Sequence, residues 1–314
     1  MTRAPSRSFE GAARPRVARA DVRRGERWSP WQHVKNGLIL GLVRVLLWLA
    51  DHTPARLLLA VGQILGWCFF WLAPALKRRA IGRAERCFGR VQARAIVQQS
   101  FVRMGENLCL SLLLRRTGPR ASDFVSLDTT SESTLCEAVA AGRGVVFVSA
   151  HLGPFELLAA RVAELGMSPA VVVRESYDPR LDVCVDAHRT ARGLDVIHRG
   201  KPGAAARMLR ALRQGKPVGF LVDIASSVPS VPREFLGKQV MIPLGPQRLC
   251  QLTGARLVVG TLQRRLGQRP GALPHFDLSV TPVPSVDEDE LTYRVVRLVE
   301  RAILRNPEDW PWLS

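Results

Sequence analysis

The sequence has few of the features that mark several common classes of protein. It contains only two tyrosines and no repeated pattern of basic and aromatic residues, which argues against a platform for nucleic acid. Its six cysteines are scattered and include no C-x-x-C pair. We therefore expect reduced, mostly buried thiols in a reducing compartment. No H-E-x-x-H or paired-histidine motif is present, so the usual signals of a metal site are missing.

Acidic residues are scarce relative to basic ones. The chain has 27 Asp and Glu against 45 Lys and Arg, which gives a formal net charge of +18. This excess indicates an acidic partner, and nucleic acid, anionic lipid headgroups and an acidic carrier protein are the candidates. The missing basic-aromatic pattern makes nucleic acid the least favoured of the three. The length of 314 residues allows one large domain or two small ones.

The N-terminal part of the chain divides into a polar tail and an apolar segment. Residues 1–35 are rich in arginine and poor in apolar residues, which predicts a disordered, cytosolic basic tail. No small-residue cleavage site follows a short apolar core, so a cleavable signal is not indicated, and an Arg-rich transit peptide is the weaker alternative. Residues 36–90 are interpreted as a membrane-associated helical segment, and residues 91–314 as the catalytic domain.

Two apolar stretches support the membrane interpretation. Leu38–Ala50 is interrupted by Arg44 and is short for a span, whereas Leu57–Leu76 is long enough to cross a hydrocarbon core of about 30 Å. Basic residues flank both stretches, and the positive-inside rule would place both flanks in the cytoplasm. A hairpin turning near Asp51–Pro54, or a helix in the membrane interface, satisfies that rule better than one span. A buried helix of a soluble domain is the alternative.

Strand-like and helix-like segments alternate in residues 91–314. A helix at Gln92–Arg116 comes first, and the closing helix is expected at Glu290–Leu304. Strands are expected at Val145–Val148, Ala170–Val173, Leu194–Ile197, Pro217–Val222, Gln239–Ile242, Arg256–Gln263 and Phe276–Val280, with Ile224–Glu234 as a loop. This alternation predicts an α/β fold with a mainly parallel sheet covered by helices.

Polar side chains follow the first four of these strands. The residues that come just after a predicted strand are His151, Arg174, Arg199 and Asp223. Because the carboxyl ends of parallel strands meet at one edge of the sheet, we expect these four side chains to gather there. An imidazole, a carboxylate and two guanidiniums at one edge begin to describe a ligand or catalytic site.

His151 lies in the stretch Gly144–Glu164, where a strand gives way to a helix after Gly153-Pro154. Glu156 is expected in the first turn of that helix, so it can meet His151 only if the histidine lies outside the helix. A carboxylate hydrogen-bonded to the imidazole would fix its tautomer and suit it to general-base catalysis. The alternative is that Glu156 only complements the helix dipole.

The segment HLGPFE resembles the H-x4-[DE] motif of glycerolipid acyltransferases. The wider pattern resembles the bacterial lipid A biosynthesis (Kdo-dependent) lauroyl/myristoyl acyltransferase family, which includes mycobacterial mannoside acyltransferases. The shared features run in order from Leu38 to Leu313. They are a basic, apolar N-terminus, RRAIGRAERCFG, Arg174, Arg189 with Gly193, VIHR ending at Arg199, LVD ending at Asp223, EFLGKQVMIPLGP and NPEDWPWL.

The resemblance implies transfer of a fatty acyl chain from a thioester to a hydroxyl of a membrane glycolipid, foremost a lipid A precursor. The donor would be acyl carrier protein or acyl-CoA, with no cofactor and no metal. His151 and Glu156 would be catalytic, and the substrate-binding residues would be Arg174, Arg189, Arg199 and Asp223. Backbone N–H groups at Gly153-Pro154 would stabilise the oxyanion. The protein would lie at the bacterial inner membrane, with its catalytic domain on the cytoplasmic side.

Departures from the family pattern leave the acceptor open. Pro154-Phe155 stand where Asn-Trp is usual, Ala84-Glu85 stand where Asn-Leu is usual, and Ile224 replaces the common Gln. A mannoside or aminolipid acceptor is therefore an alternative. Two further alternatives come from other classes of protein. One is a non-catalytic membrane-surface adaptor, and the other is a metal-dependent hydrolase using His151, Glu156, His188, His198 and Asp223.

Overall fold

The computed structural model describes residues 27–224, 228–267, 272–284 and 287–313. Most of the predicted basic tail, residues 1–26, lies outside the described residues, and the prediction of disorder is wrong for residues 30–35, which form the start of a helix. Within the described ranges, three long N-terminal helices precede an α/β domain built on a seven-stranded sheet.

The first two helices are the apolar ones. Helix α1 spans Pro30–His52 and begins with a capping box, in which Ser29 and Gln32 each accept a hydrogen bond from the other's backbone N–H. Helix α2 spans Ala55–Leu72. Both are long and apolar enough to cross a membrane, by length and composition alone. The stretch Leu38–Ala50 thus belongs to a 23-residue helix, longer than the sequence indicated.

The stretch Leu57–Leu76 is not one helix. Helix α2 ends at Leu72, and Pro74 opens helix α3, because proline fits the first turn of a helix and lacks the N–H needed further in. Helix α3 spans Pro74–Leu113 and bends at Gly89, whose φ of 71° lies in the left-handed region. It includes most of the predicted amphipathic helix. The domain boundary expected after residue 90 falls beside this bend.

Helix α2 packs against the C-terminal half of α3 through glycines. A Cβ on Gly66 would lie 2.1 Å from the carbonyl oxygen of Phe101, and one on Gly105 would lie 2.0 Å from that of Gly62. Only residues without a side chain allow two helix backbones to approach this closely. Helix α2 is therefore fixed to a helix whose other side packs in the core of the α/β domain.

The strands are, in chain order, β1 Val125–Leu127, β2 Val145–Ser149, β3 Ala170–Arg174, β4 Asp195–Arg199, β5 Pro217–Leu221, β6 Ser230–Phe235, β7 Lys238–Pro243, β8 Arg256–Arg264 and β9 Phe276–Val283. Seven of them form one sheet in the order β1-β9-β8-β2-β5-β3-β4. Every neighbouring pair in it is parallel except β8 with β9. The central strand β2 is buried at all its residues, as expected of a parallel strand covered on both faces.

Six helices accompany the sheet: α4 Thr129–Ala140, α5 Phe155–Glu164, α6 Pro179–Thr190, α7 Ala204–Arg213, α8 Gly245–Thr253 and α9 Glu288–Arg305. Alternate residues of β2 enter two different buried clusters. Val146 and Val148 pack in one cluster with residues of α9, whereas Val145 and Phe147 pack in the other with residues of α5. The predicted fold, α/β with a mainly parallel sheet covered by helices, is confirmed.

One part of the prediction is wrong. The described part of Ile224–Glu234 is not simply a loop, because residues 230–235 form β6 and pair antiparallel with β7. Leu236 and Gly237 join the two strands with φ values of 52° and 69°, as a type I′ hairpin turn requires. Pro232 and the charged residues after it hide this strand from a pattern search. Strand β1 was also missed, since three residues are too few to show a period.

Candidate active site

The candidate site lies where β2 and β5 end side by side. The two strands pair in register, Ser149 with Leu221, so the residues two positions past each end, His151 and Asp223, face each other. Nδ1 of His151 lies 2.9 Å from Oδ1 of Asp223. The backbone N–H of His151 donates to Oδ2 at 3.1 Å. The carboxylate therefore selects the tautomer that carries its proton on Nδ1, which leaves Nε2 able to accept a proton.

Asp223 combines full burial with three donors. Its side chain is 0% exposed, and its Oδ2 also accepts the Nε1–H of Trp310 at 2.7 Å. Burial alone raises the pKa of this carboxyl, but the hydrogen bonds and charge of His151, and then the Trp310 donor, outweigh burial and lower it. An ionised carboxylate on Nδ1 is the arrangement that stabilises an imidazolium.

Glu156 has a different partner from the one its spacing suggested. Both oxygens of its carboxylate accept from Arg189, with a distance of 3.1 Å to Nε. The expected contact between Glu156 and the imidazole is thus corrected, because Asp223 occupies Nδ1 of His151. Burial alone would lower the pKa of Arg189, but the hydrogen bond and charge of Glu156 raise it, so the guanidinium stays charged. A catalytic role for Glu156 stays a prediction.

An apolar cavity of about 70 Å³ lies next to these residues. Its lining includes Glu156, Arg189 and Phe155, together with apolar residues of β2, β3 and β5. Phe155 also meets the His151 ring edge-on, with 5.0 Å between the ring centroids. Apolar surface therefore extends from the imidazole to the cavity. A larger cavity of about 440 Å³ lies among residues that precede β3 and β5, at the opposite edge of the sheet.

Arg174 and Arg199 are the last residues of β3 and β4, and they pair directly across the two strands. They reach the expected edge of the sheet as strand residues rather than as loop residues. Burial, and then the positive charge of Arg174, lower the pKa of Arg199. No ion pair of Arg174 is found in the part of the chain that the structure describes. Two adjacent guanidiniums favour an anionic ligand that would offset their repulsion.

The loop after His151 is tied down by the C-terminal end of the chain. The N–H of Gly153 donates to the carbonyl oxygen of Asp309 at 2.9 Å. It is therefore occupied, and the expectation that this N–H would stabilise an oxyanion is wrong. Pro154 has no N–H to offer.

The histidines proposed for a metal-dependent hydrolase do not converge. Nε2 of His198 contacts Asp186 at 2.6 Å, and His188 lies in α6 with a pKa lowered by burial. Across the described ranges, no group of three or more His, Cys, Asp and Glu side chains is placed to hold a metal ion.

Sequence reasoning brought the right strand ends together but missed two residues of the site. Asp309 and Trp310 belong to the NPEDWPWL segment. The sequence alone indicated no role for this segment beyond its resemblance to the family. Their roles depend on contacts with residues far away in the chain, since 87 positions separate Trp310 from Asp223.

One comparison with known proteins identifies the family. The model of the family described as bacterial lipid A biosynthesis acyltransferase matches residues 30–314. A search of the curated proteins finds no match for the chain. The family match includes every helix and strand described above. The chain therefore belongs to the bacterial lipid A biosynthesis acyltransferase family and is an acyltransferase that acts on lipid A-like substrates.

Proposed function

We propose that the protein moves a fatty acyl chain from an acyl thioester to a hydroxyl group of a membrane glycolipid, with a lipid A precursor as the acceptor. The observation that carries this proposal is the pairing of His151 with the buried Asp223. Among the described residues, Nε2 of His151 makes no hydrogen bond, and its side chain is 26% exposed. An imidazole that is hydrogen-bonded at Nδ1 and has a free lone pair on Nε2 is suited to deprotonate a bound hydroxyl.

The reaction needs two proton transfers, one to His151 and one from it, and the exchange of a C–S bond for a C–O bond. His151 Nε2 takes the proton as the acceptor oxygen attacks the thioester carbonyl carbon. The new C–O bond forms, the C–S bond breaks, and the thiolate leaves. The imidazolium then returns the proton to the thiolate, which restores the neutral histidine. Asp223 stabilises the imidazolium between these steps without itself being protonated.

The arginines at the sheet edge would hold the charged parts of the substrates. Arg174 and Arg199 are adjacent, which suits a phosphate of the acceptor or the phosphopantetheine of the donor. Arg189 and Glu156 border the apolar cavity, where they would orient the start of the acyl chain. The donor would be acyl carrier protein or acyl-CoA, and the net charge of +18 favours an acidic carrier protein.

The site would work at a membrane surface. Helices α1 and α2 expose large apolar side chains, and basic residues follow α2 directly. This supports a place at the bacterial inner membrane with the catalytic domain in the cytoplasm, where acyl thioesters are made.

The test varies the acceptor and the donor. Transfer of a labelled acyl chain should be measured from acyl carrier protein and from coenzyme A to a lipid A precursor, a mannoside lipid and an aminolipid. Loss of the base should lower kcat by about 10²–10⁴-fold in His151→Ala. Asp223→Asn should lower it by at least about 10²-fold, since the wrong tautomer is then favoured.

The matched control is His33→Ala, which removes an exposed histidine at the start of α1. It should keep normal turnover. A folded His151→Ala protein with near-normal kcat would end the mechanism proposed for this site. Absence of transfer by the unaltered protein to every acceptor would favour the non-catalytic adaptor. Transfer only to the mannoside or the aminolipid would keep the mechanism and replace the acceptor.

A further inference from the structure

The segment Pro307–Leu313 contacts both the loop after His151 and the carboxylate that faces it. The carbonyl oxygen of Asp309 accepts the N–H of Gly153, two residues after His151. The next residue, Trp310, donates its indole N–H to the carboxylate of Asp223. One short stretch of chain thus holds both the backbone after the base and the acid that orients it.

The two carboxylate oxygens of Asp223 accept hydrogen bonds from His151 and Trp310. Oδ1 faces Nδ1 of His151 at 2.9 Å. Oδ2 accepts the His151 backbone N–H at 3.1 Å and the Trp310 Nε1–H at 2.7 Å. The Trp310 contact is thus the shortest of the three. Asp223 and Trp310 are both buried, so solvent has little access to replace a donor that is lost.

We propose that Trp310 is a positioning residue for the His151–Asp223 pair, an inference that rests on the proposed function of His151 as the base. Its indole N–H fixes the plane of the carboxylate, so that Oδ1 points at Nδ1 and the imidazole keeps Nε2 toward the acceptor. Trp310 acts only through Asp223 and touches no reacting atom.

Close packing fixes the orientation of the Trp310 indole, so its N–H stays directed at Asp223. Trp310 is 3% exposed, and its ring meets Trp312 and Phe235 edge-on, with centroid distances of 4.8 and 6.1 Å. The indole therefore cannot turn away from Asp223 without opening a cavity in this cluster.

Ion pairs fix the backbone of the same segment. The Asp309 carboxylate contacts Arg103 at 2.9 Å and Arg264 at 3.3 Å, and is almost fully buried between them. Arg264 also forms an ion pair with Glu106 at 2.7 Å. Glu106 in turn accepts a hydrogen bond from the side chain of Gln63 in α2, also at 2.7 Å. The carbonyl that holds Gly153 is thus set by a network that reaches the N-terminal helices.

The test removes the indole N–H and keeps an aromatic ring. Trp310→Phe should lower kcat about tenfold or more with KM changed less than about twofold, as expected for one hydrogen bond to a charged group that matters in the transition state. The matched control for lost packing is Phe70→Leu, which truncates another fully buried aromatic side chain, in α2, whose ring packs against Trp71 and Phe101 and not against the site. It should melt at a similarly lowered temperature with kcat changed less than about threefold.

Two further measurements separate positioning from packing. In the Asp223→Asn background, Trp310→Phe should cost less than about threefold in kcat, because its target carboxylate is gone. Replacing the indole of residue 310 by benzothiophene, which changes N–H to sulfur and little else, should reproduce the loss of kcat. This second variant also serves if Trp310→Phe does not fold.

The outcomes distinguish this inference from the function it rests on. Equal kcat in Trp310→Phe and Phe70→Leu, with His151→Ala inactive, would overturn the positioning role alone. The same conclusion would follow from a full loss in the Asp223→Asn background. Normal kcat in His151→Ala would overturn both.

Discussion

At the scale of single residues, the ion pair of Glu156 and Arg189 borders the apolar cavity of the candidate site. The two side chains are 21% and 15% exposed, so removing either partner leaves a poorly solvated charge. We expect Glu156→Gln and Arg189→Gln each to lose about 1–3 kcal/mol of stability, a range reduced for partial exposure. If the pair positions substrate next to His151 as proposed, each should also lose at least about tenfold in turnover. Thermal melting and acyl transfer measure the two effects.

The double variant Glu156→Gln/Arg189→Gln should be less destabilised than the sum of the two singles, since no lone charge remains. Arg207→Gln is the matched control, because its ion pair with Asp195 is about half exposed and should contribute no more than about 1 kcal/mol. A large loss of turnover in Glu156→Gln without one in Arg189→Gln would contradict a shared role. It would instead support a direct catalytic role for Glu156.

The sequence could predict where His151 lies but not its partner. The H-x4-E spacing drew attention to Glu156 because the two residues are close in the chain. The actual partner, Asp223, is 72 positions away. Their contact follows from the adjacency and register of β2 and β5, and a strand's own residues say nothing about which strand will lie beside it. The same limit hid Trp310, whose acceptor is known only once the chain has folded.

At the scale of elements, the packing of α2 on α3 depends on glycines that the apolar pattern did not single out. In Gly66→Ala, the added methyl would meet the carbonyl of Phe101, so the helices must separate. We expect a loss of about 1–3 kcal/mol, more than the gain of about 1 kcal/mol that alanine brings to a helix. Thermal unfolding in one fixed detergent measures the change.

Gly82→Ala is the control, because a Cβ at this position in α3 meets no atom within 4 Å. It should stabilise the protein by about 0.5–1 kcal/mol. Equal stabilisation by both substitutions would mean that α2 is not docked on the catalytic domain.

The composition of α2 correctly predicted an apolar helix. It did not predict which face of that helix packs against α3 and which is exposed. Gln63, the lone strongly polar residue of the predicted stretch, donates to Glu106 on α3 and so marks the docked face. An apolar run indicates only that a helix is shielded from water. It does not distinguish burial in a protein core from burial in a bilayer. The β6–β7 hairpin shows the reverse case, because its polar and proline-containing strand is held by pairing with β7, and only its last residue, Phe235, is buried in the core.

At the scale of the whole molecule, the N-terminal helices present apolar side chains that no other described part of the chain covers. The large apolar side chains exposed there include Trp31, Leu38 and Trp48 of α1 and Ile64, Trp67, Trp71 and Leu72 of α2. Lys77 lies over the Trp71 ring at 4.6 Å, which places a cation beside this apolar surface. An apolar face bordered by aromatic and basic residues is typical of a helix seated in a membrane interface.

We therefore expect the full-length protein to sediment with membranes and to remain there in about 1 M salt, where the screening length falls to about 3 Å. Salt weakens attraction to lipid headgroups but not the burial of apolar surface. Trp67→Glu/Trp71→Glu should shift protein into the supernatant, because each substitution puts a charge where the acyl chains begin. The control is Leu252→Glu/Leu266→Glu, at positions 76% and 78% exposed on the α/β domain, which should sediment like the original protein. Recovery of the unaltered chain in the supernatant without detergent would show that the exposed face of α1 and α2 does not bind lipid.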